Sequence, residues 1–270
     1  MRVLSVTPAI VLRSRSFGES DKIVSFLTRD HGKVTGIAKG AKRSRKRFVN
    51  TLEPFCLVNL HFQERPHSSL VFIHACDWIL FFKDITMNLE KIAHASYLLE
   101  ITDELTRERE DNRLIFELLK QGLAAIEKNQ PSLSVLAIFG MKLLRLSGYQ
   151  PMLDYCRRCG KTQPGLNAGL RDEDPEVAKS KSRGGWRFGL RDGGILCEAC
   201  AEFRKETFSL SLEVLQVLTR LQGVDSVATS SLNLPLSALK ESFTILSRFI
   251  EFQINKELRS APFLDAFCTP

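Results

Sequence analysis

The chain has 270 residues, carries a formal net charge of +7, and is 44% hydrophobic and 26% charged. This composition is typical of a folded globular protein, argues against intrinsic disorder, and gives enough chain for two domains. The first ten residues lack the apolar core of a signal peptide, and no run of about 18–20 uninterrupted apolar residues follows, so we expect a cytoplasmic protein without a membrane span.

Charge is distributed unevenly along the chain. Residues 1–80 hold 13 Lys and Arg against 6 Asp and Glu, whereas residues 81–270 hold 25 of each sign. Such asymmetry indicates a polyanionic partner, usually nucleic acid or an anionic membrane, although net charge also serves solubility. We therefore expect a nucleic-acid contact within the first 80 residues.

The first 80 residues predict a small β barrel or β sandwich. Runs rich in Val, Ile and Leu alternate with turn signals, and they predict strands over residues 3–15, 22–28, 33–38, 52–63 and 69–80. For a basic domain of this size, five short strands favour an OB fold, a five-stranded barrel that binds oligonucleotides.

The pattern changes to helical spacing at Asp84. Apolar residues then recur every three or four positions, which predicts helices over residues 89–105, 112–128, 131–146, 211–221 and 235–258. Cysteine pairs, glycine, proline and charge interrupt this pattern over residues 151–205, and the polar stretch 171–185 predicts a mobile loop. The predicted fold class is α+β and multidomain: an N-terminal OB-fold β barrel (1–80) and a C-terminal α-helical bundle (81–270) with an inserted zinc ribbon (151–205).

Two Cys-x-x-Cys pairs are the most specific pattern in the chain, Cys156 with Cys159 and Cys197 with Cys200. A two-residue gap lets both thiolates of a pair reach one zinc ion, and four thiolates complete a closed structural site without a position for a catalytic water. A redox pair or buried free thiols are the alternatives, but neither pair has the βαβ context of a thioredoxin-like motif. Basic residues beside the first pair would offset the negative charge of the metal site as readily as they would contact DNA: Arg157, Arg158 and Lys161.

The connection between the third and fourth predicted strands is strongly basic. Six of its side chains are positive: Lys39, Lys42, Arg43, Arg45, Lys46 and Arg47. Like charges on one loop repel each other, whereas a phosphate backbone would neutralise them and release counterions, so we predict that this segment binds DNA. A solvated surface loop is the alternative interpretation.

Three further residues are candidates for the same interface. Arg13 and Arg15, at the end of the first strand, would extend the cationic groove. Phe48, at the edge of the basic segment, would stack on a base if exposed. Packing in the core is the commoner fate of such a phenylalanine, and both interpretations stay open.

Catalytic motifs are missing from the sequence. It contains no P-loop, no Gly-x-Gly-x-x-Gly dinucleotide signature, no His-Glu-x-x-His and no His-x-Glu deaminase pattern. No nucleophile, base and orienting group occur together. We therefore predict a protein that acts by binding and is not an enzyme.

These features, in this order, resemble the RecO family of bacterial recombination mediators. The resemblance spans nearly the whole chain and is most specific near the N-terminus. It is carried by Ile10-Val11-Leu12-Arg13, Phe17-Gly18-Glu19-Ser20-Asp21-Lys22, Thr28-Arg29-Asp30-His31-Gly32-Lys33, Gly36-Ile37-Ala38-Lys39-Gly40-Ala41-Lys42-Arg43, Leu52-Glu53-Pro54-Phe55, and Gly148-Tyr149-Gln150-Pro151 leading into Cys156.

The resemblance implies an OB fold, a helical domain and a zinc-ribbon insertion that holds one structural Zn²⁺. It implies binding to single- and double-stranded DNA, annealing of complementary strands, and help in loading RecA onto DNA coated by single-strand-binding protein (SSB). The implied partners are RecR, often RecF, and the C-terminal tail of SSB, in the bacterial nucleoid. Two other hypotheses remain: a zinc-ribbon transcription or translation factor that binds duplex DNA or RNA, and an unrecognised zinc-dependent hydrolase.

Overall fold

The computed structural model describes residues 4–163, 185–227 and 234–268. The chain forms two compact units, Met1–Ser132 together with Leu258–Pro270, and Leu133–Glu257. In the described ranges, no helix combines the length and the apolar composition that a bilayer crossing requires. The domain division at residue 80, with a module at 151–205, stays a prediction.

Five strands of the first unit close into a barrel. They are β1 (Leu4–Phe17), β2 (Asp21–Thr28), β3 (Lys33–Ala38), β4 (Cys56–Gln63) and β5 (Val71–Phe81). The barrel order is β1-β2-β3-β5-β4, and the pairs are antiparallel except for the parallel contact between β3 and β5. The predicted N-terminal OB-fold barrel is confirmed.

Gly36 is required where β3 meets β5. It pairs with Val71, and a Cβ atom at this position would lie 2.7 Å from Val71 Cγ2 and 2.8 Å from Ile73 Cγ1. No larger side chain fits at these distances without displacing the branched residues of β5. Gly36 therefore permits the parallel contact that closes the barrel.

A β-bulge in β1 decides which residues of this strand reach solvent. Ala9 and Val11 lie in the barrel core, and the register of the pairing with β2 shifts between Val11 and Arg13. Because a bulge inserts one residue, the side chains beyond it change face. Arg13 and Arg15 consequently point outward and are exposed.

Helices complete the first unit. They are α1 (Lys83–Thr86), α2 (Leu89–Leu105) and α3 (Arg113–Lys128), joined by α8 (Ala261–Cys268) near the C-terminus. The carboxylate of Glu100 on α2 accepts hydrogen bonds from the backbone N–H groups of Arg259 and Ser260, at 2.9 and 2.8 Å, and from the Ser260 hydroxyl. This carboxylate therefore ties the residues that precede α8 to α2.

The turn between β2 and β3 docks tightly against the segment that joins α2 to α3. Gly32 has a φ of +65°, and a Cβ atom there would lie 1.9 Å from the carbonyl oxygen of Glu110. Next to it, Lys33 donates from Nζ to Asp103 Oδ1 at 3.2 Å, and its carbonyl accepts from the Arg109 N–H at 3.0 Å. Only glycine is compatible with both the conformation and the close approach.

The second unit contains helices and a small sheet. Its helices are α4 (Leu133–Leu146), α5 (Glu198–Ala201), α6 (Leu212–Gly223) and α7 (Leu236–Ile254), and α4 packs against α6 and α7. Its strands are β6 (Trp186–Gly189), β7 (Gly194–Cys197) and β8 (Thr207–Leu210), in the antiparallel order β7-β6-β8. Except for Gly185, the predicted mobile loop 171–185 lies outside the described residues.

Candidate metal centre and nucleic-acid interface

Two backbone turns bring the four cysteines together. After the first pair, the Gly160 N–H donates to the Cys156 carbonyl at 3.0 Å, and Gly160 has a φ of +73°. In the second pair, Cys197 ends β7 and Cys200 lies in the short helix α5. The β6–β7 hairpin packs closely against Met152: a Cβ atom at Gly194, which follows the hairpin turn, would lie 2.3 Å from the Met152 carbonyl oxygen. This close packing brings the second pair near the first.

The geometry of the four sulfur atoms suits one metal ion. All four Sγ atoms lie within 4.8 Å of one another, and those of Cys159 and Cys197 are 3.6 Å apart. Zinc bound tetrahedrally by thiolates at about 2.3 Å would place sulfur atoms about 3.8 Å apart. The predicted metal-ligand set, Cys156, Cys159, Cys197 and Cys200, is therefore assembled in a form that can hold a metal ion.

Burial and neighbouring thiols make the four cysteines unequal. Burial opposes ionisation of Cys156, but backbone hydrogen bonds at Cys159, Cys197 and Arg158 outweigh it and lower its pKa to about 6. Hydrogen bonds with the Cys197 and Cys159 side chains raise the pKa of Cys200 to about 12, and burial raises the pKa of Cys197. Four thiolates at these distances repel one another, which favours the protonated thiols. A divalent cation between the four sulfur atoms would favour the thiolates instead.

Two basic residues beside the first cysteine pair bond to the turn of the β6–β7 hairpin. Arg158 Nε lies 3.2 Å from Asp192 Oδ1, and Arg157 Nε donates to the Asp192 backbone carbonyl at 3.0 Å. Asp192 lies in the turn between β6 and β7. These arginines therefore brace the turn that carries the second pair, a use that the sequence does not reveal.

The basic loop, residues 39–47, presents its cations to solvent. All six lysine and arginine side chains are exposed. Lys42 Nζ donates to the Gly18 carbonyl at 2.8 Å, and Arg47 Nη2 donates to the Lys39 carbonyl at 2.9 Å. Within the described ranges, no acidic side chain forms an ion pair with any of the six. The loop thus concentrates positive charge on side chains that form no ion pair with the acidic residues of the described ranges.

Asp21 anchors the start of the basic loop. Its Oδ1 accepts from the Gly40 N–H at 2.8 Å and from the Ser20 hydroxyl at 2.8 Å. The Gly40 hydrogen bond, the Ser20 hydroxyl and the charges of Lys39 and Lys42 hold the pKa of this carboxyl below its ordinary value of 3.8. The Asp21 carboxylate is thus tied to the loop by hydrogen bonds and by charge.

The β1–β2 hairpin is held against the basic loop. The Lys42 N–H donates to the Ser20 carbonyl at 2.9 Å, in addition to the bond from its side chain to Gly18. This hairpin carries Arg13 and Arg15, so both exposed arginines belong to an element that contacts the loop. Their role in DNA binding stays a prediction.

Phe48 is corrected from a candidate base-stacking residue to a core residue. Its side chain is only 4% exposed and belongs to the cluster that fills the barrel. The guanidinium carbon of Arg47 lies 4.9 Å from the ring centroid. The chain turns inward after the basic loop, and buried Phe48 therefore has no free face for a base.

A second aromatic feature was missed at the sequence level. Residues 78–81 of β5 are Trp78, Ile79, Leu80 and Phe81, and each is between 41% and 46% exposed. The sequence interpretation placed the first three at the apolar end of a strand over residues 69–80 and left Phe81 outside it. Four apolar residues in succession depart from the alternation of a half-buried strand, and this departure was the available signal.

Comparisons with known proteins agree along the chain. The family model "Recombination protein O N terminal" matches residues 1–82, and "Recombination protein O C terminal" matches residues 87–262. The DNA repair protein RecO of Syntrophus aciditrophicus is 34% identical over 266 residues, which cover 98% of this chain and 96% of that protein. The DNA repair protein RecO of Anaeromyxobacter sp. (strain K) is 34% identical, covering 95% and 94%, and that of Caldanaerobacter subterraneus is 30% identical, covering 97% and 98%.

Proposed function

Because the chain belongs to the RecO family, we propose that it is a recombination mediator that binds single- and double-stranded DNA, anneals complementary strands and helps to load RecA onto SSB-coated DNA. Its curated relatives are named DNA repair proteins, and a role in DNA repair follows from the family. The finer activities are the part of the proposal that needs testing.

One observation carries the DNA-binding part, the unpaired charge of the basic loop. Six exposed cations within nine residues repel one another and form no ion pair in the described ranges, and a bound polyanion would remove this repulsion. Arg13 and Arg15 are exposed on the β1–β2 hairpin, which contacts the loop, and they are the proposed additions to this interface. A phosphate backbone is the ligand that fits this loop.

Charge neutralisation also suggests how annealing would proceed. Two DNA strands repel each other through their phosphates, and cations that replace the counterions lower that repulsion without reading base sequence. Complementary bases can then pair. The protein acts in this scheme by binding alone, and no bond is made or broken.

We assign one structural zinc ion to the cysteine quartet. Four cysteine ligands saturate a tetrahedral ion, so the ion would cross-link residues 156–159 to residues 197–200 without activating water. The ribbon hairpin, braced through Asp192, would depend on that cross-link. RecR, the SSB tail and, in some settings, RecF are the proposed protein partners, with the helices as their docking surface.

The salt dependence of binding tests the proposed role of the basic loop. If about five phosphates are engaged, the logarithm of single-strand affinity should fall against the logarithm of salt with a slope of about −3.5. The triple variant R43Q/R45Q/K46Q should reduce that slope by about 2, because each lost phosphate contact removes about 0.7. Arg47 is left intact because its side chain bonds to Lys39 and covers Phe48.

A matched variant controls for overall charge. R107Q/K128Q/R259Q removes the same charge from exposed positions of the same unit outside the basic loop. It should leave the slope close to that of the wild type. Equal slopes for both triple variants would show that net charge, and not this loop, drives binding. Zinc-dependent cleavage of the DNA would instead favour a hydrolase.

A further inference from the structure

We infer that the exposed end of β5 is a stacking platform for the bases of single-stranded DNA. The platform, called the β5 patch, consists of Trp78, Ile79, Leu80 and Phe81. This inference rests on the proposed function, and it supplies the base contacts that the phosphate-binding loop lacks. It also replaces Phe48, whose ring is buried, as the aromatic element of the interface.

The exposure of the β5 patch is unusual for a strand. A strand that covers a core hides alternate residues, yet all four of these are more than 40% exposed. Trp78 and Phe81 contact each other edge to face, with ring centroids 5.5 Å apart. The two rings are thus held by mutual contact while large parts of their surfaces face solvent, which is an arrangement that a flat ligand can use.

The β5 patch lies next to the basic loop. The Cys76 N–H donates to the Arg47 carbonyl at 3.1 Å, so the end of the loop runs beside β5. Trp78 follows two residues later, which is about 7 Å along a strand. Val49, two residues beyond Arg47, is also exposed and adds apolar surface on the loop side. The end of the basic loop and the β5 patch are therefore neighbours along one strand of the barrel.

The single acidic residue beside Trp78 does not oppose this assignment. Asp77 precedes Trp78 and so points to the other face of the strand. Its carboxylate lies 2.8 Å from Nε2 of His61 on the neighbouring strand β4. The carboxylate next to Trp78 in sequence is therefore held by His61 and directed to the face of β5 opposite the Trp78 ring.

Single-stranded DNA fits the patch better than a second copy of the chain. Aromatic side chains beside a cationic groove are the combination that holds single strands, because every base offers a face for stacking. A symmetric dimer through the patch would bring two basic loops together, and four residues fall well short of the roughly 800 Å² per partner of a stable interface. Paired bases in a duplex are already stacked, so the platform would favour single strands.

Substitution of Trp78 tests the inference. W78A should weaken binding of a fluorescein-labelled oligothymidylate by about 5- to 150-fold, the range expected for loss of one stacked base. Affinity for duplex DNA and the salt slope should stay unchanged, because no phosphate contact is removed. W78F, which keeps a ring, should restore most of the affinity. F203A removes an aromatic side chain that is 89% exposed in the second unit and serves as the control.

Tryptophan fluorescence gives an independent reading of the same contact. The chain has two tryptophans, and Trp186 is only 8% exposed in β6. Added oligothymidylate should therefore quench the emission of the wild type and leave the emission of W78F unchanged. Equal quenching in both proteins would place the bases elsewhere and overturn the inference.

The possible outcomes separate the inference from the proposed function. If W78A binds oligothymidylate like the wild type while R43Q/R45Q/K46Q loses affinity, the platform is wrong and DNA binding by the loop stands. If the wild type binds neither single nor double strands, the proposed function itself fails. If W78A alters self-association in sedimentation and leaves DNA affinity unchanged, the patch joins two copies and the inference is overturned.

Discussion

The cysteine quartet and the basic loop each bring like charges together. The sulfur atoms of the quartet point toward one another, whereas the cations of the basic loop point away from one another. The four sulfur atoms converge within 4.8 Å of one another, so a single small cation can neutralise them from inside. The six cations of the basic loop diverge into solvent, so only an extended polyanion can neutralise them together. We therefore predict that the converging cluster stabilises the fold and that the diverging one binds a polyanion.

Among the changes that test this comparison, removal of the metal should have the largest effect on the protein. Structural zinc contributes about 10–16 kcal/mol of apparent binding free energy in small zinc-binding peptides, so C156S/C197S should lose the ion and unfold the ribbon. We expect the zinc content to fall from one ion per chain to none, and residues 185–210 to become protease-sensitive. Single-strand DNA binding by the barrel should persist.

A buried cysteine outside the quartet provides the control for this experiment. C56A removes a thiol from the barrel core and should keep one zinc ion per chain. If loss of zinc also abolished single-strand binding, the two regions would not be separable, and the comparison between them would break down.

Neutralisation of the basic loop should give the next largest effect, on function and not on folding. R43Q/R45Q/K46Q should anneal SSB-coated complementary strands about 10-fold more slowly or worse, because the field that attracts the second strand is weakened. The melting temperature should stay the same or rise slightly, since like charges no longer repel each other. A large fall in melting temperature, measured by calorimetry, would show that the loop also stabilises the fold.

The smallest effect concerns the anchor of the loop. Hydrogen bonds from Gly40 and Ser20 and the charges of Lys39 and Lys42 depress the pKa of Asp21 below 3.8, so its stabilising contribution is present above that pH and is lost as the pH falls through the depressed pKa. Hydrogen exchange should show a protected Gly40 N–H at pH 7 in the wild type and an unprotected one in D21A. Protection that survives in D21A would mean that another contact orders the loop.

The parts of the site that sequence reasoning predicted are those in which local spacing decides the geometry. Two-residue gaps are enough to direct the thiols of a pair toward one point, so the quartet was found from Cys156, Cys159, Cys197 and Cys200 alone. The strands of the barrel were also found from local patterns, with their ends displaced by a few residues. Arg13 points outward because of the bulge in β1, and the sequence analysis did not predict this bulge.

The parts that were missed depend on distant contacts. Phe48 is buried because the segment after the basic loop folds back into the barrel, whereas Trp78 is exposed on the part of β5 that pairs with β4 and no longer with β3. An apolar residue looks the same in a sequence in both situations. The helix predicted over residues 235–258 ends earlier, at Ile254, because Asn255 adopts a left-handed φ of 51°, and the separate helix α8 was not predicted.

The bond network at Glu100 has a consequence for the order in which the protein is made. Glu100 and Ser260 lie 160 residues apart in sequence. The whole of the second unit, Leu133–Glu257, lies between them in the chain. At about 5–20 residues per second, a ribosome would need roughly 6–25 s to supply the intervening 125 residues. The inserted unit can therefore fold during translation while the unit that emerged first still waits for its last helix.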